Sequence, residues 1–121
     1  MTNMQDDILR IDEAEASRAL RELPLPFSVL FERGDLSVEL YAPRGADTQS
    51  PHARDELYIV SAGAGVFRRG EQMVEFRAGD LLFVPAYVEH RFERFSDDFR
   101  TWVIFFGPEG GVCAKREEIK P

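Results

Sequence analysis

The chain has only two histidines, and both stand where a metal ligand would be useful. His52 precedes Glu56 by four positions, and His90 closes the run Gly79-Asp80-Leu81-Leu82-Phe83-Val84-Pro85-Ala86-Tyr87-Val88-Glu89-His90. Two imidazoles and one carboxylate make a facial set of ligands for a divalent metal, with positions left open for substrate or oxygen. In a straight strand His52 and Glu56 would lie about 13 Å apart at ~3.3 Å per residue, too far to share one ion. The metal reading therefore requires a bend at Ala53-Arg54-Asp55. Without that bend, His52 is a surface loop histidine, Glu56 an ordinary acid at a strand start, and His90 a strand-edge imidazole bonded to a neighbour.

The elements that must position these residues are legible in the hydrophobic pattern. Over residues 11–23 the apolar positions Ile11, Ala14, Ala16, Ala19, Leu20 and Leu23 recur at helical spacing. Acids come early (Asp12, Glu13) and arginines late (Arg18, Arg21), the order that suits a helix dipole. Pro24 and Pro26 stop the helix. After Pro26 the chain reads as strands and turns, with strands expected at 27–33, 36–41, 57–61, 66–69, 72–77, 81–84, 89–95 and 100–106. About eight short strands at near-regular intervals predict an all-β antiparallel sandwich or barrel. The division expected is a tail and short helix over 1–26, a barrel over 27–107 and a polar tail over 108–121, with residues 1–8 frayed.

At 121 residues the chain makes one domain with a full core and no need of disulfides. Ten phenylalanines suggest that aromatic rings build the core or a pocket. A net charge of −7 argues against nucleic acid and against an anionic membrane surface. The single cysteine, Cys113, cannot form an internal disulfide and has no ligand at metal spacing, so it receives no role. No signal sequence and no apolar span is apparent, so a cytoplasmic location is expected.

The segment Pro51-His52-Ala53-Arg54-Asp55-Glu56-Leu57-Tyr58-Ile59-Val60-Ser61-Ala62-Gly63 resembles the first motif of the cupin family, a His-x-His pair followed by Glu and then Gly. Gly79 through His90 resembles the second, in which Gly is followed by Pro and then His. The resemblance covers residues 34–107 and implies a small jelly-roll barrel. It implies metal ligation by His52, Glu56 and His90. The first His of the pair falls at Ser50, so Gln49 or Ser50 would lend at most a weak oxygen. The Gly after the motif proline is Tyr87, which would crowd the turn before His90 and overhang the mouth of the barrel. The motif's terminal Asn falls at Arg94.

His90, Phe92 and Arg94 share one strand face by simple alternation, and Arg91, Glu93 and Phe95 the other. An inward Arg94 would pair Glu39 or fork onto a substrate carboxylate, whereas an outward one is a solvated rim charge. Tyr87 and Arg94 are thus the candidates for contact with a substrate. Of Tyr58, Phe67, Phe76, Phe83, Trp102, Phe105 and Phe106, about half should fill the core, and the rest of the inner face should line an apolar pocket.

The resemblance implies a divalent metal, with Fe, Mn, Zn and Ni not distinguished. It implies action on a small organic metabolite, a carboxylate among the candidates, by dioxygenase, isomerase or lyase chemistry. A non-catalytic ligand-binding or sensor module is the alternative, and a structural scaffold a third. The resemblance also implies a homodimer formed through sheet edges, which small jelly rolls use to cover unpaired strands.

Overall fold

The computed structural model describes residues 8–112. The expected frayed end at 1–8 and the polar tail at 108–121, with Cys113, fall wholly or partly outside that range. The element order is one helix, α1 (Glu13–Arg21), followed by eight strands. These are β1 (Phe27–Arg33), β2 (Leu36–Tyr41), β3 (Asp55–Ala62), β4 (Ala64–Arg69), β5 (Gln72–Arg77), β6 (Leu81–Val84), β7 (His90–Phe95) and β8 (Arg100–Phe106). No helix among the described residues is long and apolar enough to cross a membrane.

The helix is shorter than the apolar spacing predicts, by two residues at each end. Asp12 is the N-cap: its carboxylate accepts from the amides of Ala14 at 2.9 Å and Glu15 at 3.2 Å. At the other end Pro24 disfavours helical geometry at Leu23, and Glu22 becomes the C-cap. Glu13 then ties the helix to the barrel wall, accepting from Trp102 Nε1 at 2.9 Å and pairing with Arg100 at 2.8 Å.

Two antiparallel sheets face each other, one in the order β1-β2-β8-β3-β6 and one in the order β5-β4-β7. This is the jelly-roll arrangement, which turns one side of every strand toward a shared interior. That interior is filled by Tyr41, Tyr58, Val60, Phe67, Phe76, Val84, Phe92, Phe99 and Val103. Phe92 is its hub, with ring centroids of Phe67, Tyr58 and Phe99 at 4.8, 4.9 and 4.7 Å. Of the seven aromatics considered from sequence, Tyr58, Phe67 and Phe76 are core. Trp102 faces the helix instead, and Phe105 lines a cavity.

Gly63 joins β3 to β4 with φ of 88°, and a Cβ there would come within 2.6 Å of the Phe99 backbone. Only glycine satisfies both conditions, so the motif glycine has a steric reason. One irregularity matters for the site. In the pairing of β4 with β7, Val66 faces Arg94 and Phe67 faces Phe92, which leaves Glu93 as an extra residue. This bulge shifts the alternation, so His90 and Phe92 point inward while Glu93 and Arg94 are exposed. The inward Arg94 read from simple alternation is therefore corrected: its side chain stands on the outer face, beside Glu75, Arg77 and Glu93.

Candidate metal centre

The required bend is present. β3 begins only at Asp55, and Ala53 and Arg54 form bends before it, so His52 comes from the loop and Glu56 from the strand. His52 Nε2 lies 4.0 Å from Glu56 Oε1, and His90 Nε2 lies 3.3 Å from the same oxygen. One ligand atom from each of the three residues falls within 4.8 Å of the others. For bonds of about 2.1 Å to a shared ion, neighbouring ligand atoms in an octahedron stand ~3.0 Å apart and opposite ones ~4.2 Å, which brackets the two distances to Glu56 Oε1.

The loops carrying the ligands are pinned by hydrogen bonds. The Tyr87 amide donates to the His52 carbonyl at 2.6 Å, and the Gly110 amide to the Ala53 carbonyl at 2.8 Å. Buried Asp55 accepts from the amides of Ala86 at 2.9 Å and Val112 at 3.3 Å. Asp47, 3% exposed, accepts from Tyr41 Oη at 2.6 Å, the Phe92 amide at 2.8 Å and Gln49 Nε2 at 2.9 Å. Holding the amide nitrogen of Gln49 turns its oxygen toward the centre, where Oε1 stands 3.3 Å from His52 Nε2 and 3.3 Å from Tyr58 Oη. Sequence reasoning left Asp47 and Tyr58 out of the site. The run Asp47-Thr48-Gln49 carries a turn-forming acid, but its partners arrive from distant strands.

The electrostatics of the buried pair decide whether a metal suits the site. His90 Nδ1 is 2.9 Å from the Val88 carbonyl and donates to it, which leaves the Nε2 lone pair facing Glu56 in the neutral ring. His90 and Glu56 are 2% and 1% exposed. Yet His90 Nε2 and both carboxylate oxygens of Glu56 lack hydrogen-bond partners, although His90 Nε2 and Glu56 Oε1 stand 3.3 Å apart. Buried acceptors converging on one point without donors are costly unless a proton or a cation lies between them. The donor set fits a divalent ion on these grounds.

Burial pulls the His90 imidazole down, but Glu56 and the Val88 carbonyl outweigh it and leave its pKa raised. For His52 burial dominates over the attraction of Glu56, and its pKa is lowered. Burial, then the Glu56 charge, holds the Tyr58 hydroxyl well above its ordinary value, so it is a neutral donor.

A cavity of about 220 Å³ opens on the centre, lined by Phe27, Glu39, Tyr41, Gln49, His52, Glu56, Val103 and Phe105. Neither candidate substrate contact lines it. Arg94 is on the outside of the other sheet. Tyr87 adopts φ of 68°, is 61% exposed and is absent from the cavity lining, so it does not overhang the cavity as expected. The left-handed backbone turns the ring outward. Ser50 is exposed and does not line the cavity.

A family model described as cupin domain matches residues 37–105. Uncharacterized protein SCO3923 of Streptomyces coelicolor is 39% identical over 102 residues, 83% of this chain and 95% of that one. The crystal structure of a cupin-2 domain protein from Shewanella frigidimarina matches with a TM-score of 0.60 and 19% identity, over 84% of this chain and 97% of that one. That of a cupin superfamily protein from Desulfitobacterium hafniense matches with a TM-score of 0.57 and 20% identity, over 72% and 93%. The motifs around His52 and His90, the two-sheet barrel and these likenesses agree, and the chain belongs to the cupin family.

Proposed function

We propose that this chain binds a divalent metal through His52, Glu56 and His90, with Gln49 Oε1 as a weaker fourth ligand, and acts on a small organic metabolite. The observation that carries this reading is the convergence of buried, unpartnered lone pairs on Glu56 and His90 beside His52. Such a mixed nitrogen and oxygen set takes Fe, Mn, Zn or Ni. When bound, the ion supplies Lewis-acid polarisation of a ligand oxygen, or a site for oxygen itself, which suits dioxygenase, isomerase or lyase chemistry. The chain's own contribution is to orient the imidazoles through Val88 and the loop bonds, and to present a cavity walled by Phe27, Val103 and Phe105.

The same donors serve a non-catalytic ligand-binding module. The outward position of Arg94 favours that second reading, because it removes the charged group expected to orient a substrate carboxylate. The reading further takes the protein as a cytoplasmic homodimer, without nucleic-acid or membrane partners. Its support is the acidic charge of −7 and the exposed Met73, Val74 and Leu81 on edge strands β5 and β6.

The test is elemental analysis of protein purified without a metal-affinity step, followed by titration with Mn²⁺, Fe²⁺, Zn²⁺ and Ni²⁺. One ion per chain, lost in His90→Ala, is expected. Absence of stoichiometric binding by any of the four defeats the proposal. Turnover of a bound compound then decides for an enzyme, and binding without turnover for the module.

A further inference from the structure

Glu39 is a second carboxyl in the metal-side cavity, and the fold makes no use of it. It lies on the inner face of β2 opposite Val103 of β8, which in turn faces Tyr58 of β3. Two strand spacings, about 10 Å across the sheet, separate its backbone from the strand that carries Glu56. Both side chains line the same cavity, with Val103, Phe105 and Phe27 as the apolar wall. At about 220 Å³ the cavity has room for a molecule of a few carbons.

Among the described residues the Glu39 carboxyl has no hydrogen-bond or ion-pair partner. The charges that reach it are Glu56 and Glu32, which repel it, and Arg54, which attracts it. Arg54 is otherwise engaged, donating to the Asp35 carbonyl and lying over the Phe105 ring at 5.8 Å from its centroid. A part-buried carboxyl between apolar walls costs stability and here offsets nothing. The buried, unpartnered oxygens of Glu56, which lines the same cavity beside His52, mark that space as a place for a ligand.

We infer that Glu39 sets the specificity of this cavity, accepting a hydrogen bond from a hydroxyl or ammonium group at the far end of a metal-bound molecule and disfavouring one that ends in a second carboxylate. The inference rests on the metal reading above. The ligand class is a short-chain acid, bound to the ion by its carboxylate and carrying a donor at its other end. Burial first, and the charges of Glu56 and Glu32 next, raise the Glu39 pKa to about 7, so the group is an ionised acceptor at pH 8.

The test uses the full chain loaded with Mn²⁺ at pH 8, the loading being established first by titration of the metal alone. Calorimetry then compares three probes with the same four-carbon chain: 4-hydroxybutyrate, 4-aminobutyrate and succinate. The wild type should favour the first two over succinate by on the order of tenfold, since like charges juxtaposed in a pocket repel strongly. Glu39→Gln should shrink the difference to about twofold, and Glu39→Asp, which keeps the charge, should restore most of it. Circular dichroism checks that both variants fold. Equal affinities in the loaded wild type, no binding of any probe to it, or a preference that survives in Glu39→Gln overturns the inference and leaves the metal reading standing. Failure to load Mn²⁺ or another divalent ion overturns both.

Discussion

The amide of Tyr87 donates to the carbonyl of His52 across 2.6 Å, so the turn before one imidazole is fastened to the loop that carries the other. To reach that carbonyl, Tyr87 takes a left-handed backbone, φ 68°, where the family motif has glycine. The two histidines are thus positioned partly through a conformation that a tyrosine adopts at a cost.

Relieving that cost should be measurable. Tyr87→Gly keeps the amide donor and removes the Cβ clash, and its exposed ring gives up little packing. We expect it to stabilise the protein by about 1 kcal/mol, less than the full strain because glycine adds freedom to the unfolded chain. Urea unfolding of the metal-free protein reads the change, and a loss of stability would show that the ring contributes contacts of its own.

Metal affinity should separate the donors by rank. His52→Ala removes an imidazole and should weaken binding on the order of a hundredfold or more, whereas Gln49→Ala removes an amide oxygen and should cost about tenfold or less. Competition with a chromophoric chelator gives both values. Equal losses would mean that His52 is only a loop histidine after all.

Protons should compete with a metal ion at His90. Its raised pKa means that the folded, metal-free protein holds a proton there to higher pH than an ordinary histidine does, and binding must release it. Affinity should therefore climb as pH rises, by up to about tenfold per unit while one proton is displaced, and level off above the folded pKa. The lowered pKa of His52 adds slope only at lower pH. Mn²⁺ titrations from pH 5.5 to 8 check the sign, and an affinity that falls over this range contradicts the ligand assignment.

Glu39 makes the metal-free fold sensitive to alkali. Its folded pKa of about 7 stands above the 4.5 of the exposed group, so the folded state binds the proton more tightly. The stability linked to that proton is fully present below pH 4.5 and is lost as pH rises through 7. Glu39→Gln should consequently gain on the wild type between pH 5 and pH 8 in thermal unfolding. A constant gap between the two proteins would show that the carboxyl is better solvated than its surroundings imply.

Arg94→Ala should leave both metal affinity and stability nearly unchanged, within about 0.5 kcal/mol, because the bulge at Glu93 turns the guanidinium to the outer face. A larger effect on the ion, read by the same titration, would place the side chain back at the cavity.

The strands from Phe27 onward were legible because apolar alternation and turn residues repeat along the chain, and six of the eight begin within one residue of their expected positions. β3 and β4 start two residues early for particular reasons. Asp55 and Glu56 are polar residues buried at the start of a strand, which hydropathy reads as loop. Gly65 sits so close to the Arg94 carbonyl that a Cβ would lie 2.0 Å from it, so it pairs where composition suggests a turn. The spacing of His52, Glu56 and His90 pointed to their convergence once a bend was granted. The bulge at Glu93 left no mark in the sequence, and it reversed the face of Arg94. Glu39 was seen only as a partner for Arg94, since nothing local tells which side of β2 looks into a cavity.

Glu13 holds Trp102 and Arg100 from outside the barrel, on the strand whose inward residues Val103 and Phe105 wall the cavity. Leu20 of the helix and Leu40 of β2 are 2% and 0% exposed, yet both lie apart from the main aromatic core. The large sheet is therefore sandwiched between two hydrophobic layers, with the helix acting as a brace behind the wall that a ligand would touch. A chain trimmed to the minimal barrel would strip that brace away, exposing Leu40 and the indole and loosening the pocket from the rear. The short helix is better regarded as the backing of the cavity wall than as an appendage to the barrel.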